Sequence, residues 1–259
     1  MTVPFSLMRA ATAFTDLLLF RAARQVLLAR QIDMADGTSQ RWLVPDFRAF
    51  RAATKTRRRQ LPRMADPPRP FGNRLMVELT DATLAANLAL RELGVAPPAA
   101  RVLVADIGWI VYARMLSLAS LPFRLTSRSA EERLKGTIRA LLRFPFAAPG
   151  APGYAVETRI EGDAILTHFT HCPPQTRVRE QTAATGDAEL LSVFRESWCR
   201  YDWPGADLMA GDGARGHYRR RQTLSHGDPV CDMCWAGSAR PTHLRNGKTL
   251  TGRVPDRDS

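Results

Sequence analysis

The first 167 residues of this 259-residue chain contain neither cysteine nor histidine. No thiol nucleophile, imidazole base or soft-ligand metal site can be assembled from that part alone. Lysine is scarce as well: Lys55, Lys135 and Lys248 are the only ones among 37 basic residues. Such an arginine bias, in a chain rich in Ala, Gly and Pro, reads as the coding bias of a GC-rich genome. The net charge of +12 therefore speaks to association in general and to no particular partner. No basic stripe with interleaved aromatics occurs, nor any zinc-finger, homeodomain or RNA-recognition pattern, so no nucleic-acid partner is expected. The basic runs at 55–63 and 218–222 read as solvated surface or anion-docking patches. A run of about 18 uncharged apolar residues is also missing. The best stretch, 99–123, is interrupted by Arg101, Asp106 and Arg114, and no transmembrane segment is expected. The start carries an acid early and lacks a basic region followed by a long apolar core, so no secretory signal is read. The expected compartment is the reducing cytoplasm, where cysteines are thiols or metal ligands before they are disulfides.

What the first part lacks is concentrated in residues 168–236. All four cysteines, Cys172, Cys199, Cys231 and Cys234, lie there with four of the five histidines. The spacing is C-x26-C-x31-C-x2-C. A chain that gathers its thiols, imidazoles and several Asp and Trp residues in one segment places its chemistry there. The bland alternative is that buried cysteines pack as small hydrophobes.

Hydrophobic periodicity divides the chain into four parts. Residues 1–60 read as a helical N-terminal appendage, with Phe14, Leu17, Leu18, Phe20, Ala23, Val26 and Leu27 at helical spacing over 5–31 and Arg21, Arg24 and Arg30 opposite. This helix packs on the core or on a partner subunit, the latter giving a homo-oligomer; a basic face meeting a membrane surface is the alternative. Residues 61–71 are a proline-rich linker. Residues 72–240 form the main domain, and 241–259 a flexible basic tail. Within the main domain, helices are expected over 74–93, 98–119 and, capped by Ser129 with Glu131 and Glu132 in its first turn, up to about Arg143. The period then changes. Residues 154–160, 164–170, 217–224 and 230–236 predict a four-stranded antiparallel sheet, with a helix at 187–202 packed across one face. The fold class is α+β: a helical first half, then a small sheet.

The segments THFTHCPP, WCRYDW and TLSHGDPVCDMCW resemble the L-2-amino-thiazoline-4-carboxylic acid hydrolase family over about residues 72–237. The family's TRCP-like segment falls on Cys172 and Pro173, its [FW]C-x-x-D segment on Cys199 and Asp202, and its terminal segment on Gly227, Asp228, Pro229, Cys231, Asp232, Met233 and Trp235. His171 departs from a basic position that is often Arg. Cys234 falls where the family varies, so the Cys231–Cys234 spacing is not part of its pattern. The resemblance implies hydrolytic opening of a small cyclic amidine, a thiazoline, acting on a C–N bond.

That chemistry needs a nucleophile, a base and an orienting group within reach of one another. Cys199 is the first choice of nucleophile, Cys172 the second, and Cys231 is expected to converge with them. Asp202 orients or activates, and His171 or His226 serves as acid/base. Arg219 or Arg221, on one face of a strand, would hold a substrate carboxylate, with Asp228, Trp203 and Trp235 completing the substrate pocket. The competing reading is a Cys-rich zinc site. A zinc ribbon usually shows two C-x2-C knuckles and this chain has one, so neither metal nor cofactor is expected. A non-catalytic small-ligand-binding domain, or a biosynthetic accessory protein docked through its N-terminal arm, is the other class of function left open.

Overall fold

The computed structural model describes residues 5–239; the expected basic tail lies outside them. Helices α1 (Phe5–Leu27) and α2 (Val44–Gln60) flank a small hairpin of β1 (Gln31–Asp33) and β2 (Ser39–Arg41), followed by α3 (Phe71–Glu92), α4 (Pro97–Thr126) and α5 (Ala130–Arg143). The second half runs β3 (Ala155–Glu161), β4 (Ala164–His171), α6 (Pro173–Thr185), α7 (Glu189–Glu196), α8 (Asp202–Ala210), β5 (Tyr218–Arg219) and β6 (Cys231–Ala236). Strands β3 to β6 form one antiparallel sheet in the order β3-β4-β6-β5. This is the expected α+β architecture.

Helix α3 is the centre. Leu84, Ala85, Ala86, Ala89 and Leu90 are all fully buried, because α2, α4, α6, α1 and α7 surround it. Alanines on several of its faces let these helices approach closely. The segment expected as an appendage shares this core: Phe20, edge-on, and Trp42, tilted, both pack on the Phe50 ring and join the residues of α3 and α4 in a single cluster. The proline-rich connection is tied down as well, since Gln181 donates to the Pro62 carbonyl at 3.0 Å and Arg74 to that of Pro68 at 2.8 Å.

Helix α5 begins and ends where the sequence places it. Ser129 accepts the Glu132 N–H at 3.4 Å, and Glu131 and Glu132 occupy the first turn. Three elements differ from expectation. The strand predicted over 217–224 keeps only Tyr218 and Arg219. Asp232 takes the N–H groups of Arg221 and Gln222 at 2.8 and 2.6 Å, and Asp228 takes that of Thr223 at 2.7 Å. Side-chain acceptors replace the ladder carbonyls, and the chain peels away from the sheet. The helix expected over 187–202 is broken at Ser197, whose backbone is non-helical (φ −110°, ψ −96°). Its first piece, α7, packs on α3, α4 and α6, while α5 and α8 rest on the sheet. Helix α6 was not anticipated. Pro173 and Pro174 open it, where a missing N–H costs nothing, and Gly186 closes it at φ 71°.

Helix α4 is long and apolar enough to match a membrane span by length and composition, yet 33% of its most apolar stretch is buried inside the protein. Its Gly108 matters for the site below. A Cβ there would land on the Tyr201 hydroxyl, which donates to the Ala105 carbonyl at 2.6 Å. Tyr201 thus crosses α4 through a notch and holds the chain next to Asp202. An exposed helical Gly→Ala change gains up to about 1 kcal/mol. Gly108→Ala is expected instead to destabilise by about 1–3 kcal/mol through overpacking, seen as a lower urea midpoint at unchanged slope. A raised midpoint would mean that Tyr201 yields freely.

Candidate functional site

One face of the sheet forms the floor of a cavity of about 110 Å³. Strand alternation decides which residues face it. Cys231, Met233 and Trp235 of β6 point in, and Thr167 and Phe169 of β4 lie beside them. Trp235 is fixed by its indole N–H, which donates to the Thr167 hydroxyl at 2.9 Å. Helices α4 and α5 close the cavity from above with Tyr112, Ile138 and Leu141.

Cys172, Cys199 and Cys231 all line this cavity, as does Asp202. The expected convergence is met, and each sulfur is placed by a different device. Cys172 is the N-cap of α6. Cys199 sits in the 3-10 turn of Trp198–Arg200 that joins α7 to α8, with its Sγ 3.4 Å from the Ser225 hydroxyl. Cys231 accepts the Leu224 N–H at 3.2 Å. Asp202 is the first residue of α8, where the helix dipole favours an acid.

The acid's partner is Arg220, which the sequence reading did not select. Its Nη1 is 3.1 Å from Asp202 Oδ2, and the two side chains are only 4% and 13% exposed. The same guanidinium donates to the Cys199 carbonyl and lies over the Trp203 ring at 4.7 Å. Tyr218 adds a hydrogen bond to Asp202 at 3.2 Å. The Arg220 Nε is buried with no partner of its own.

Burial governs the protonation states. It raises the Asp202 carboxyl above its ordinary value, and Arg220, Tyr218 and Tyr112 only partly offset this. Burial pushes the Cys199 thiol up to about 12, with Ser225 and Arg220 pulling the other way. Cys172 is also raised well above the ordinary thiol value by burial, although the Gln175 N–H at the start of α6 opposes the shift. Cys231 follows the same pattern, with the Leu224 N–H opposing. At neutral pH all three are therefore thiols, not thiolates.

The remaining expected residues lie elsewhere. His171 is held by the Gly153 carbonyl at 2.6 Å and the Thr176 hydroxyl at 3.1 Å. His226 is exposed, and neither histidine lines the cavity. Arg219 points to the opposite face of the sheet, 3.5 Å from the Cys234 sulfur, and Arg221 is exposed. The arginine that lines the cavity is thus Arg220, and neither Arg219 nor Arg221 does. Asp228 shapes the 223–228 turn. Trp203 supports Arg220 from outside the cavity, whereas Trp235 is inside it. Alternation could have found Arg220: it is two residues after Tyr218, whose side chain is buried. Among the described residues no group of three or more His, Cys, Asp or Glu is arranged to hold a metal ion.

No protein-family model matches the chain, and no curated protein or solved structure is similar to it. The likeness to thiazoline hydrolases stands on the three motif segments alone.

Two measurements follow from this geometry. The unfolded chain releases the Cys199 proton around pH 9.0 and the folded chain only around 12. Stability from this thiol is thus complete below pH 9 and falls as pH rises toward 12. Urea unfolding between about pH 8 and about 10.5 should lose stability with pH less steeply in Cys199→Ser, by up to about 1.4 kcal/mol per pH unit; equal slopes would contradict the buried thiol. Arg220→Met leaves a buried carboxylate unpaired and should cost about 3–5 kcal/mol, most of it recovered when Asp202→Asn is added. Additive losses in that double-mutant cycle would mean the two side chains do not interact.

Proposed function

We propose that the cavity binds a small cyclic amidine bearing a carboxylate and hydrolyses it at the C–N bond. The observation that carries this reading is the meeting of Cys172, Cys199 and Cys231 with the buried Asp202–Arg220 pair in one largely apolar cavity. Such a substrate has two opposite charges at neutral pH. Asp202 is the natural counter-charge for the amidine, and the Arg220 guanidinium, which also lines the cavity, for the carboxylate. The resemblance to L-2-amino-thiazoline-4-carboxylic acid hydrolases points to the same class.

In this reading Cys199 is the nucleophile. Its thiol is neutral at rest, so the proton leaves as the substrate binds. Asp202 takes it as the sulfur attacks the already protonated, electrophilic amidinium carbon, and hands it on to the ring nitrogen. An S–C bond forms, the ring C–N bond breaks, and the amine leaves with the transferred proton. Water then adds to the thio-linked carbon, with Asp202 in reach as base, and the Cys199 thiol is expelled. One water is consumed and the enzyme is regenerated. Arg220 holds the substrate carboxylate throughout.

A second reading has its own support. Three thiols kept protonated by burial suit a pocket that binds a small ligand without turnover. The discriminating experiment measures product release from L-2-amino-thiazoline-4-carboxylate. The hydrolase reading expects turnover, a loss of at least about a hundredfold in Cys199→Ala, and a comparable loss in Asp202→Asn. Full activity in Cys199→Ala removes it as nucleophile. Saturable binding with no turnover in the folded protein transfers the assignment to the ligand-binding class.

A further inference from the structure

Away from this cavity, the pairing of α1 with α4 produces a surface with two chemically distinct ends. Along α4 the exposed stripe reads Arg114, Leu118, Leu121, Leu125, at helical spacing. Leu118 and Leu125 are 72% and 78% exposed. Along α1 the exposed stripe reads Phe14, Leu17, Arg21, Arg24, with Phe14 and Leu17 at 54% and 65%. The order of apolar and basic residues is reversed between the two helices, and the helices run antiparallel. Arg30, just past the end of α1, pairs with Asp106 in the first half of α4, and Arg21, earlier in α1, shares a groove with Arg114, later in α4. Both helices rise equally per residue, so Phe14 and Leu17 fall beside Leu118 and Leu121. Apolar meets apolar at one end and basic meets basic at the other.

The basic end is a groove of about 900 Å³ between α1, α2 and α4. Arg21, Arg24 and Arg114 line it, joined by Arg51 and Lys55 of α2, whose charges lie over the Phe20 ring at 5.2 and 5.9 Å. Asp16, the carboxylate lining this groove, is already bound by Arg58. None of Arg21, Arg24, Lys55 or Arg114 forms an ion pair with a carboxylate among the described residues.

We infer that this face docks on an anionic bilayer surface. The basic groove meets lipid headgroups, and Phe14, Leu17, Leu118 and Leu121 enter the boundary of the hydrocarbon. Charge complementarity selects this occupant. A second copy would bring cationic groove against cationic groove. A nucleic acid would satisfy the arginines and leave the adjoining apolar side chains in water. A bilayer interface satisfies both ends, the combination that holds amphipathic surfaces in the headgroup region. Helix α4 lies on the bilayer and does not cross it, since its opposite face belongs to the core.

The test is co-sedimentation of the full chain with phosphatidylcholine vesicles containing about one-third phosphatidylglycerol, at about 0.15 M salt. Binding is expected to these vesicles and not to pure phosphatidylcholine. Arg21→Gln combined with Arg24→Gln should weaken partitioning about thirtyfold, about fivefold per arginine removed from the surface. Leu118→Gln with Leu121→Gln should weaken it at least tenfold, since two exposed apolar anchors are lost. All four positions are exposed, so the variants should keep the wild-type circular dichroism and urea midpoint. No binding to the anionic vesicles, or unchanged binding in both double variants, overturns the inference. So does a duplex DNA that binds more tightly than the vesicles through the same arginines. A dimer in sedimentation equilibrium that dissociates in Leu118→Gln/Leu121→Gln would assign the face to a second copy.

Discussion

The Asp202–Arg220 ion pair is the interaction on which the site depends. It ties the segment that leaves the sheet after β5 to the turn carrying Cys199 and to the first turn of α8. A buried pair of this kind is retained at a cost, because both ions give up water. Here Tyr218, the Cys199 carbonyl and the faces of Trp203 and Tyr218 offset part of that cost, while the Arg220 Nε stays without a partner. The notch at Gly108 serves the same end from the opposite side, since it lets Tyr201 anchor the residue before Asp202 to α4. The fold thus uses its helical half to fix the chemistry of its sheet half.

The same burial that makes the ion pair specific silences the thiols. Helix N-termini and backbone N–H groups normally favour thiolate, and such groups are present at Cys172 and Cys231. They lose to desolvation. On the proposed reading, a largely apolar cavity with protonated thiols awaits a ligand that brings its own charge, which suits a cationic amidine better than a neutral ester or amide.

Much of this was legible in the sequence. The period change after the third helix, the Ser129 cap with its acids and the extended runs at 154–160, 164–170 and 230–236 all carry local signals, and each element formed close to its expected place. The gathering of Cys172, Cys199, Cys231 and Asp202 followed from their shared segment. What failed was decided by side chain–backbone competition. Asp232 and Asp228 capture N–H groups that a strand would have offered to its neighbour, so a strand expected to run to 224 ends at 219. With it went the assignment of the arginines, because a longer strand drew attention to Arg219 and Arg221 and away from the inward Arg220. His171 looked like a base by its adjacency to Cys172. Adjacency in sequence to Cys172 on a strand end puts the imidazole toward Gly153 and Thr176, away from the cavity.

The pleat of β6 has a consequence for its Cys-x-x-Cys spacing. On a helix, residues three apart share a side and two such sulfurs can exchange electrons as a dithiol–disulfide couple. On a strand, an odd separation sends them to opposite faces. Cys231 looks into the cavity and Cys234 toward Arg219 on the outer face. The motif therefore resembles a redox pair in sequence alone. Its two sulfurs belong to different environments, and an oxidant or alkylating reagent in solution would meet Cys234 while the sheet itself shields Cys231.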